Sequence, residues 1–113
     1  MRIAVACSGL NVSRRLDTSD CFTCYNVDRG VIKGCQTLPL SITSTEDVLE
    51  LLRAVAADVL ICGAISADDA NEYCEAGVEV LAGVDGSAKQ VATDYVNNAL
   101  SGAMDLCGEE DDD

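Results

Sequence analysis

The stretch Asp58–Ser66 (DVLICGAIS) constrains the fold of this chain more than any other. Val59–Ile61 is a short, continuous apolar run, which is the pattern of a strand buried on both faces of a parallel sheet. A glycine follows it, and Ser66 with Asp69 three positions further on has the spacing of a helix capping box. Open α/β sheets bind ligands where a buried strand leads through such a turn into a helix. The same unit contains a thiol, Cys62, and we place the candidate site here.

The rest of the chain predicts an α/β fold with the element order β-β-β-α-β-α-β-α. The first strand is apolar on both faces, so we expect it to be central in a five-stranded mixed sheet. Asp28-Arg29-Gly30 has the residues of a hairpin turn between the second and third strands. The predicted strands are Arg2–Cys7, Cys21–Val27, Val31–Leu38, Asp58–Cys62 and Val78–Leu81, and the predicted helices cover about 45–56, 67–75 and 87–101.

Length and charge favour one acidic domain. The 113 residues suit a single domain, which we assign to 1–107. The formal net charge is −13, of which the acids at 109–113 supply five, leaving −8. Such a chain repels phosphate backbones, so we expect no nucleic-acid partner. Residues 108–113 are predicted to be a disordered, solubilising acidic tail.

The hydropathy pattern predicts no membrane association. No apolar run reaches the roughly 18 residues that a membrane span requires. The N-terminal residues have the pattern of a strand and not of a secretory signal. We therefore expect a cytoplasmic protein, present as a monomer or weak dimer.

Seven cysteines and no histidine restrict the possible chemistry. Without a secretory signal, so many thiols indicate metal or redox chemistry in preference to a disulfide framework. In the predicted sheet, Cys7, Cys21 and Cys62 come to one edge, with Cys24 a short step along the second strand. Soft thiolates select zinc, copper(I) or iron–sulfur species. Alternatively, each cysteine is a small buried apolar residue, as we expect for Cys35, Cys74 and Cys107 unless they are surface thiols.

The same edge also has features that bind anions. Helices are predicted to begin at Ser66 and Ser87, each preceded by glycine, and helix N-termini attract negative charge. Arg14 and Arg15 lie in the long loop above this edge. The alternative is that the two arginines only balance nearby acids. The candidate cofactor-binding residues are Ser13, Arg14, Arg15, Gly63, Ser66, Gly83 and Gly86, and the candidate metal ligands are Cys7, Cys21, Cys24 and Cys62.

The order and spacing of several short motifs resemble the dinitrogenase iron–molybdenum cofactor biosynthesis family, in particular its small stand-alone members, which include orange-protein-like proteins. The motifs are Ile3-Ala4-Val5-Ala6, Val12-Ser13, Gly63-Ala64-Ile65-Ser66, Ala76-Gly77-Val78-Glu79-Val80 and Gly83-Val84-Asp85-Gly86. The resemblance covers roughly residues 2–102. It implies a ribonuclease H-like, three-layer fold. It also implies binding or carriage of a metal–sulfur cofactor, of an iron–sulfur, iron–molybdenum or molybdenum–copper type, with a donor or acceptor protein as partner.

This chain departs from the family at one position. Family members often have His-Phe-Gly shortly after the Val-Ser pair, whereas here Arg15 stands at the histidine position. A contact made by that histidine cannot be transferred to this chain. The departure is compatible with a different cofactor, with ligation by thiolates alone, or with loss of the function.

These observations lead to two hypotheses and disfavour two enzymatic ones. A metal-dependent nuclease needs clustered carboxylates, and the first strand has none. A thioredoxin-like CxxC lies at a helix N-terminus, whereas Cys21 and Cys24 lie in a β-prone segment. We therefore expect a non-catalytic carrier or binding protein for a metal–sulfur cofactor. The alternative is a cofactor-free regulatory or protein-interaction domain of the same fold.

Overall fold

In the computed structural model, the described residues are 1–39, 45–97 and 104–105. Predictions for the tail (108–113), for Cys107 and for the end of the last helix (98–101) lie outside them. Within the described residues the strands are β1 (Arg2–Ser8), β2 (Asn11–Val12), β3 (Cys21–Asp28), β4 (Val31–Pro39), β5 (Val59–Ile61), β6 (Glu79–Ala82) and β7 (Met104–Asp105). The helices are α1 (Thr45–Ala54), α2 (Ala67–Glu75) and α3 (Ala88–Val96).

The strands form one mixed sheet in the order β4-β3-β1-β5-β6-β7, and β2 pairs with the end of β1. β1 is parallel to β5 and antiparallel to β3, and β5 is parallel to β6. The predicted central position of the first strand is therefore confirmed. The parallel β1–β5–β6 part brings the carboxyl ends of three strands to one edge.

The prediction of five strands was too low. All five predicted strands are present, and the short strands β2 and β7 enlarge the sheet. β2 folds back on β1 through a tight turn in which Gly9 has a φ of 66°. A two-residue strand is too short to show an alternating hydropathy pattern. The sequence therefore predicted that this segment belongs to the long loop after β1.

Helices cover both faces of the sheet, giving three layers. On one face, α1 and α2 bury Val48, Leu52, Ala70 and Tyr73 against Ala4, Phe22 and Leu60. On the other face, α3 buries Ala88, Val91 and Ala92 against Ile3, Val5 and Ile61. β1 and β5 contribute alternate residues to each face, which explains why both strands are apolar throughout.

No helix among the described residues is long and apolar enough to span a bilayer.

Candidate functional site

The turn after β5 is built as its sequence predicts. Ser66 caps α2, its Oγ accepting a hydrogen bond from the Asp69 backbone N–H at 3.2 Å. Cys62 and Gly63 are buried just beyond the strand. A Cβ atom on Gly63 would collide with the backbone oxygens of Ser13 and Arg14, so only glycine allows this close approach.

The segment after β2 runs alongside this turn and is fixed to it by backbone hydrogen bonds. The Ala64 N–H donates to the Arg14 carbonyl at 2.8 Å, and the Leu16 N–H donates to the Ala64 carbonyl at 2.9 Å. Ser13 is buried, and its hydroxyl donates to the Arg15 carbonyl at 2.9 Å. The backbone positions of Arg14 and Arg15 are therefore rigidly defined.

The turn after β6 forms the opposite wall. The Gly83 N–H donates to the Gly63 carbonyl at 2.9 Å, and the Val84 N–H donates to the Cys62 carbonyl at 3.1 Å. Gly83 has a φ of 74°, a conformation that other residues rarely adopt. These bonds tie the turns after β5 and β6 to each other at the sheet edge.

A cleft of about 630 Å³ lies between these turns. It is open at the carboxyl edge of the parallel strands, where α/β sheets bind ligands. Its walls are largely small and apolar, and Arg14, Asn71 and Asp85 supply its polar side chains. The lining residues are Arg14, Gly63, Ala64, Ile65, Ala67, Ala70, Asn71, Ala82, Gly83, Val84 and Asp85.

The predicted cofactor-binding residues are distributed around this cleft in different roles. Arg14, Gly63 and Gly83 line it. Arg15 and Ser66 instead line a separate depression of about 320 Å³ beside the start of α2. Ser13 is buried, and its backbone oxygen lies close to Gly63. The Gly86 carbonyl accepts a hydrogen bond from the Val12 N–H at 2.8 Å and so holds the β2 segment.

Several lining residues were not predicted. Asn71 lies four positions after Ala67 on α2, so helical periodicity could have placed both on the face towards the turn. Val84 and Asp85 lie within the motif Gly83-Val84-Asp85-Gly86, but they were not among the predicted site residues. Ile65 also lies within a motif of the family resemblance, Gly63-Ala64-Ile65-Ser66. Ala82 shows no signal that distinguishes a cleft wall from a core position.

The four thiols predicted as metal ligands lie on opposite faces of the sheet, two on each face. Cys7 and Cys21 are opposite each other in the β1–β3 ladder and belong to the core on the α3 face. Cys62 belongs to the core on the α1–α2 face, and Cys24 packs against that core. Among the described residues, no group of three or more His, Cys, Asp or Glu side chains is arranged to hold a metal ion.

Burial disfavours ionisation of these four thiols. It raises the pKa of Cys62 to about 12 and, together with the neighbouring Asp20 and Cys7, that of Cys21 to about 11. Burial also raises the pKa of Cys7, against the effect of its side-chain hydrogen bond with Thr23. It raises the pKa of Cys24 as well, against the effect of the Arg2 charge. None of these four sulfurs lines the cleft.

The other cysteines also differ from one another. Cys35 is an exposed free thiol on β4. Cys74 was expected to be a buried apolar residue or a surface thiol, but it is disulfide-bonded. The expectation that the cysteines serve metal or redox chemistry in preference to disulfide bonds is therefore wrong for Cys74.

Solved structures share this fold, although their sequences differ widely from this one. PH0822 has a TM-score of 0.84 at 18% identity, over 96% of this chain and 100% of that one. A Methanocaldococcus jannaschii protein provisionally assigned as a dinitrogenase has a TM-score of 0.74 at 14% identity, over 92% of this chain and 94% of that one. The apo form of the orange protein from Desulfovibrio gigas has a TM-score of 0.71 at 20% identity, over 91% and 95%.

No protein-family model matches the sequence, and no curated protein sequence matches it. The chain is thus a small three-layer α/β protein with the fold of these structures. The likenesses confirm, at the level of fold, the resemblance to the dinitrogenase cofactor and orange-protein group seen in the sequence.

Proposed function

We propose that this chain is a small non-catalytic binding or carrier protein for a metal–sulfur cofactor, which it holds in the cleft between the turns after β5 and β6. The observation that supports the proposal most directly is the cleft itself. It lies at the ligand-binding edge of the sheet, and both walls are fixed by backbone hydrogen bonds. A site that is rigid before binding loses little conformational entropy when its ligand arrives.

The chemistry of the lining suits a sulfide-rich anion. Arg14 supplies a positive charge, and guanidinium groups are weakly hydrated. Ile65, Ala67 and Val84 offer apolar contacts to a large, polarizable group. The start of α2 adds the positive end of a helix dipole. When bound, the cofactor itself would supply the redox or metal chemistry, and the chain would orient and shield it.

The lining also indicates how the cofactor would be held. The candidate ligand Cys62 is buried behind Gly63 and does not reach the cleft. We therefore propose that charge, amide and apolar contacts retain the cofactor, without protein thiolates as ligands. Arg15, which stands at the family's histidine position, lines the neighbouring depression and not the cleft.

The ribonuclease H-like assignment belongs to the same proposal. Its support is a sheet in which the second long strand, β3, is antiparallel to the central β1 and the parallel strands β5 and β6 follow on the other side. The cytoplasmic location and a donor or acceptor protein also remain proposals that the family resemblance suggests.

Anaerobic reconstitution tests the carrier function. The protein is incubated with sulfide and with iron, molybdate or copper salts, and is then separated from free reagents by gel filtration. We expect visible absorption and stoichiometric metal to elute with the protein. Arg14→Ala should lose metal and colour, whereas Arg53→Ala, which removes an exposed arginine from the end of α1, should retain them. Equal retention by both variants would contradict the assigned site.

A cofactor-free interaction domain is the second candidate, and the apolar character of the cleft favours it. Ile65, Ala70 and Val84 could receive an apolar side chain from a partner protein, and the carboxylate of Asp85 would oppose an anionic cofactor. The same experiment separates the two candidates. If no metal–sulfur species binds stoichiometrically under any of these conditions, the second candidate replaces the first.

A further inference from the structure

The sheet ends, on the side away from the cleft, in a long and exposed strand. β4 has 9 residues, whereas strands are usually about five to six residues long. Within the described residues it pairs only with β3, so the backbone groups of its other edge have no partner strand there. The consecutive residues 34–37 are all exposed, so both faces of the strand are open to solvent at this point. Such an edge is a template for pairing with another chain.

Two features that block strand pairing bracket a short part of this edge. The β3–β4 register shifts between Asn26 and Val27, which makes Lys33 the extra residue of a bulge, and Pro39 ends the strand. Bulges, lysines and prolines are the means by which proteins protect sheet edges. Between them lies the segment 34–38 (GCQTL), which is regularly paired with β3 and contains no charge and no proline. We call it the open segment.

The charge distribution indicates what the open segment accepts. The chain has 20 acidic residues and a net charge of −13, but no acid between Asp28 and Glu46. The open segment is therefore an uncharged strip on a strongly acidic protein. Two copies can meet along it without placing carboxylates opposite each other, which would destabilise the pairing. We propose that the open segment pairs antiparallel with the open segment of a second copy, giving a two-fold symmetric dimer with one continuous sheet.

Symmetry and the two blocking features define the register of this pairing. In a two-fold interface each copy presents the same surface, so the central residue of the paired segment lies opposite itself. That residue is Gln36, midway between Lys33 and Pro39. Gly34 of one copy then lies opposite Leu38 of the other, and this match occurs twice.

The match between glycine and leucine is also sterically favourable. A Cβ atom on Gly34 would meet nothing within 4 Å, and Gly34 lines a groove of about 570 Å³ between β4 and α1. Leu38 pairs with Phe22, which belongs to the core on the α1–α2 face, so Leu38 projects from that face. Gly34 is an even number of residues away and lies on the same face. Each leucine therefore occupies space that the opposite glycine leaves free.

The dimer is weak and leaves both clefts accessible. The paired segments are short, which places the contact among the small, transient interfaces. Outside them the two acidic chains repel each other, so salt should strengthen the association. The cleft lies at the turns after β5 and β6, on the other side of β1 from β4. Dimer formation is thus independent of the proposed cofactor.

Sedimentation velocity of the reduced full chain tests the proposal. We expect the weight-average mass to rise towards that of a dimer over about a hundredfold range of concentration, and more so at high salt. Gln36→Lys places two ammonium groups opposite each other and should weaken association about fivefold. Leu10→Lys makes the same change in net charge on the exposed β1–β2 turn and should not weaken it. Both variants reduce the overall repulsion, so only the local register explains a loss.

Disulfide cross-linking with oxidised glutathione tests the register. Directly opposed residues have Cα atoms about 4.5–5.5 Å apart, within the range of a disulfide, whereas diagonal neighbours are about 7–8 Å apart. Protein carrying Cys35→Ser and Gln36→Cys should therefore form a covalent dimer rapidly. The parent protein should do so slowly, because Cys35 lies opposite Thr37 in this register. Cys35→Ser with Leu10→Cys gives the rate of random collision.

Each result supports or contradicts the dimer. A parent protein that remains monomeric at high concentration and high salt would overturn the proposal, as would equal association of Gln36→Lys and Leu10→Lys. Faster cross-linking through Cys35 than through position 36 would contradict the register. Far-UV circular dichroism establishes that each variant is folded, and Gln36→Glu serves if Gln36→Lys is not. Gln36→Lys should retain metal in the reconstitution experiment, so the dimer and the carrier function can fail independently.

Discussion

The backbone of Arg14 occupies the space that a side chain at position 63 would need. Its carbonyl oxygen accepts the Ala64 N–H at 2.8 Å and would touch a Cβ atom on Gly63. This contact joins the segment after β2 to the turn after β5, and it brings the Arg14 side chain to the cleft.

Replacing Gly63 with alanine should therefore destabilise the protein and disturb the cleft. The obstructing atoms belong to the backbone, so we expect a loss of roughly 1–3 kcal/mol, as for overpacking elsewhere. Urea unfolding measures it. Gly34→Ala is the control: an added Cβ there meets nothing within 4 Å, and we expect a change within about 0.5 kcal/mol. Equal stability of the two variants would show that the segment moves aside freely.

Removing the negative charge from the cleft wall should improve cofactor retention. Asp85 lines the same cleft as Arg14, and its carboxylate repels an anionic group. We expect Asp85→Asn to slow metal loss during gel filtration about two- to fivefold, the size of an exposed charge effect. Asp28→Asn, at the exposed end of β3, should change nothing. Faster loss from Asp85→Asn would mean that the bound species is cationic or that the carboxylate contacts it.

The buried thiols should make stability fall in alkaline solution. Burial raises the pKa of Cys62 from 9.0 to about 12, so the unfolded chain loses this proton at lower pH than the folded one. The stabilisation is complete below pH 9 and is lost as the pH rises towards 12, at about 1.4 kcal/mol per pH unit for one such group. Tyr25, whose pKa burial raises from 10.0 to about 12, adds to the fall above pH 10.

Denaturant unfolding of the reduced protein between pH 8 and 11 checks this expectation. Cys62→Ala should be less stable than the parent protein at pH 8, because it leaves a small cavity, but should show a shallower decline above pH 9. Parallel declines for the two proteins would show that Cys62 does not contribute.

The free cysteines should differ widely in their reactivity towards an alkylating reagent. Cys35 is exposed, whereas Cys7 and Cys62 are fully buried and their pKa values are raised. At pH 8 we expect Cys35 to react first and the two buried thiols to react only after unfolding. Peptide mass spectrometry identifies the alkylated cysteines. Protein alkylated in denaturant shows which cysteines can react once the chain is unfolded. Early modification of Cys7 would reveal local opening of β1.

The same leucine-to-alanine change should have very different effects on α1 and on the β1–β2 turn. Leu52 is fully buried between α1 and the sheet, and Leu10 is 86% exposed. We expect Leu52→Ala to cost about 2–5 kcal/mol and Leu10→Ala to cost less than about 0.5 kcal/mol. Thermal or urea unfolding measures both. A small cost at Leu52 would mean that α1 can move to fill the cavity.

Local sequence patterns predicted most of the fold. The strand at Val59–Ile61, the cap at Ser66 and the helix Ala67–Glu75 are all as expected, because strand hydropathy and helix capping depend on neighbouring residues. The short strand β2 was not predicted, because two residues cannot show a hydropathy period. Arg14, Gly63 and Gly83, which the sequence placed at one edge of the sheet, line one cleft. Their role in cofactor binding stays a prediction.

The thiols show the limit of such prediction. The sequence predicted that Cys7, Cys21 and Cys62 lie at one edge of the sheet. It could not show on which face of the sheet each side chain lies. Pairing register decides that, since moving along a strand by one residue reverses the face.

The sequence by itself determined the strands, the helix caps and the glycine turns, because each depends on residues a few positions apart. Only the tertiary structure decided that Cys7 meets Cys21 while Cys62 lies on the opposite face, and that Arg14 lines the cleft while Arg15 lines the depression beside it. The reason is that these relationships depend on strand register and on the path of a loop. Both are fixed by hydrogen bonds between segments about 50 residues apart, such as that from Ala64 to Arg14.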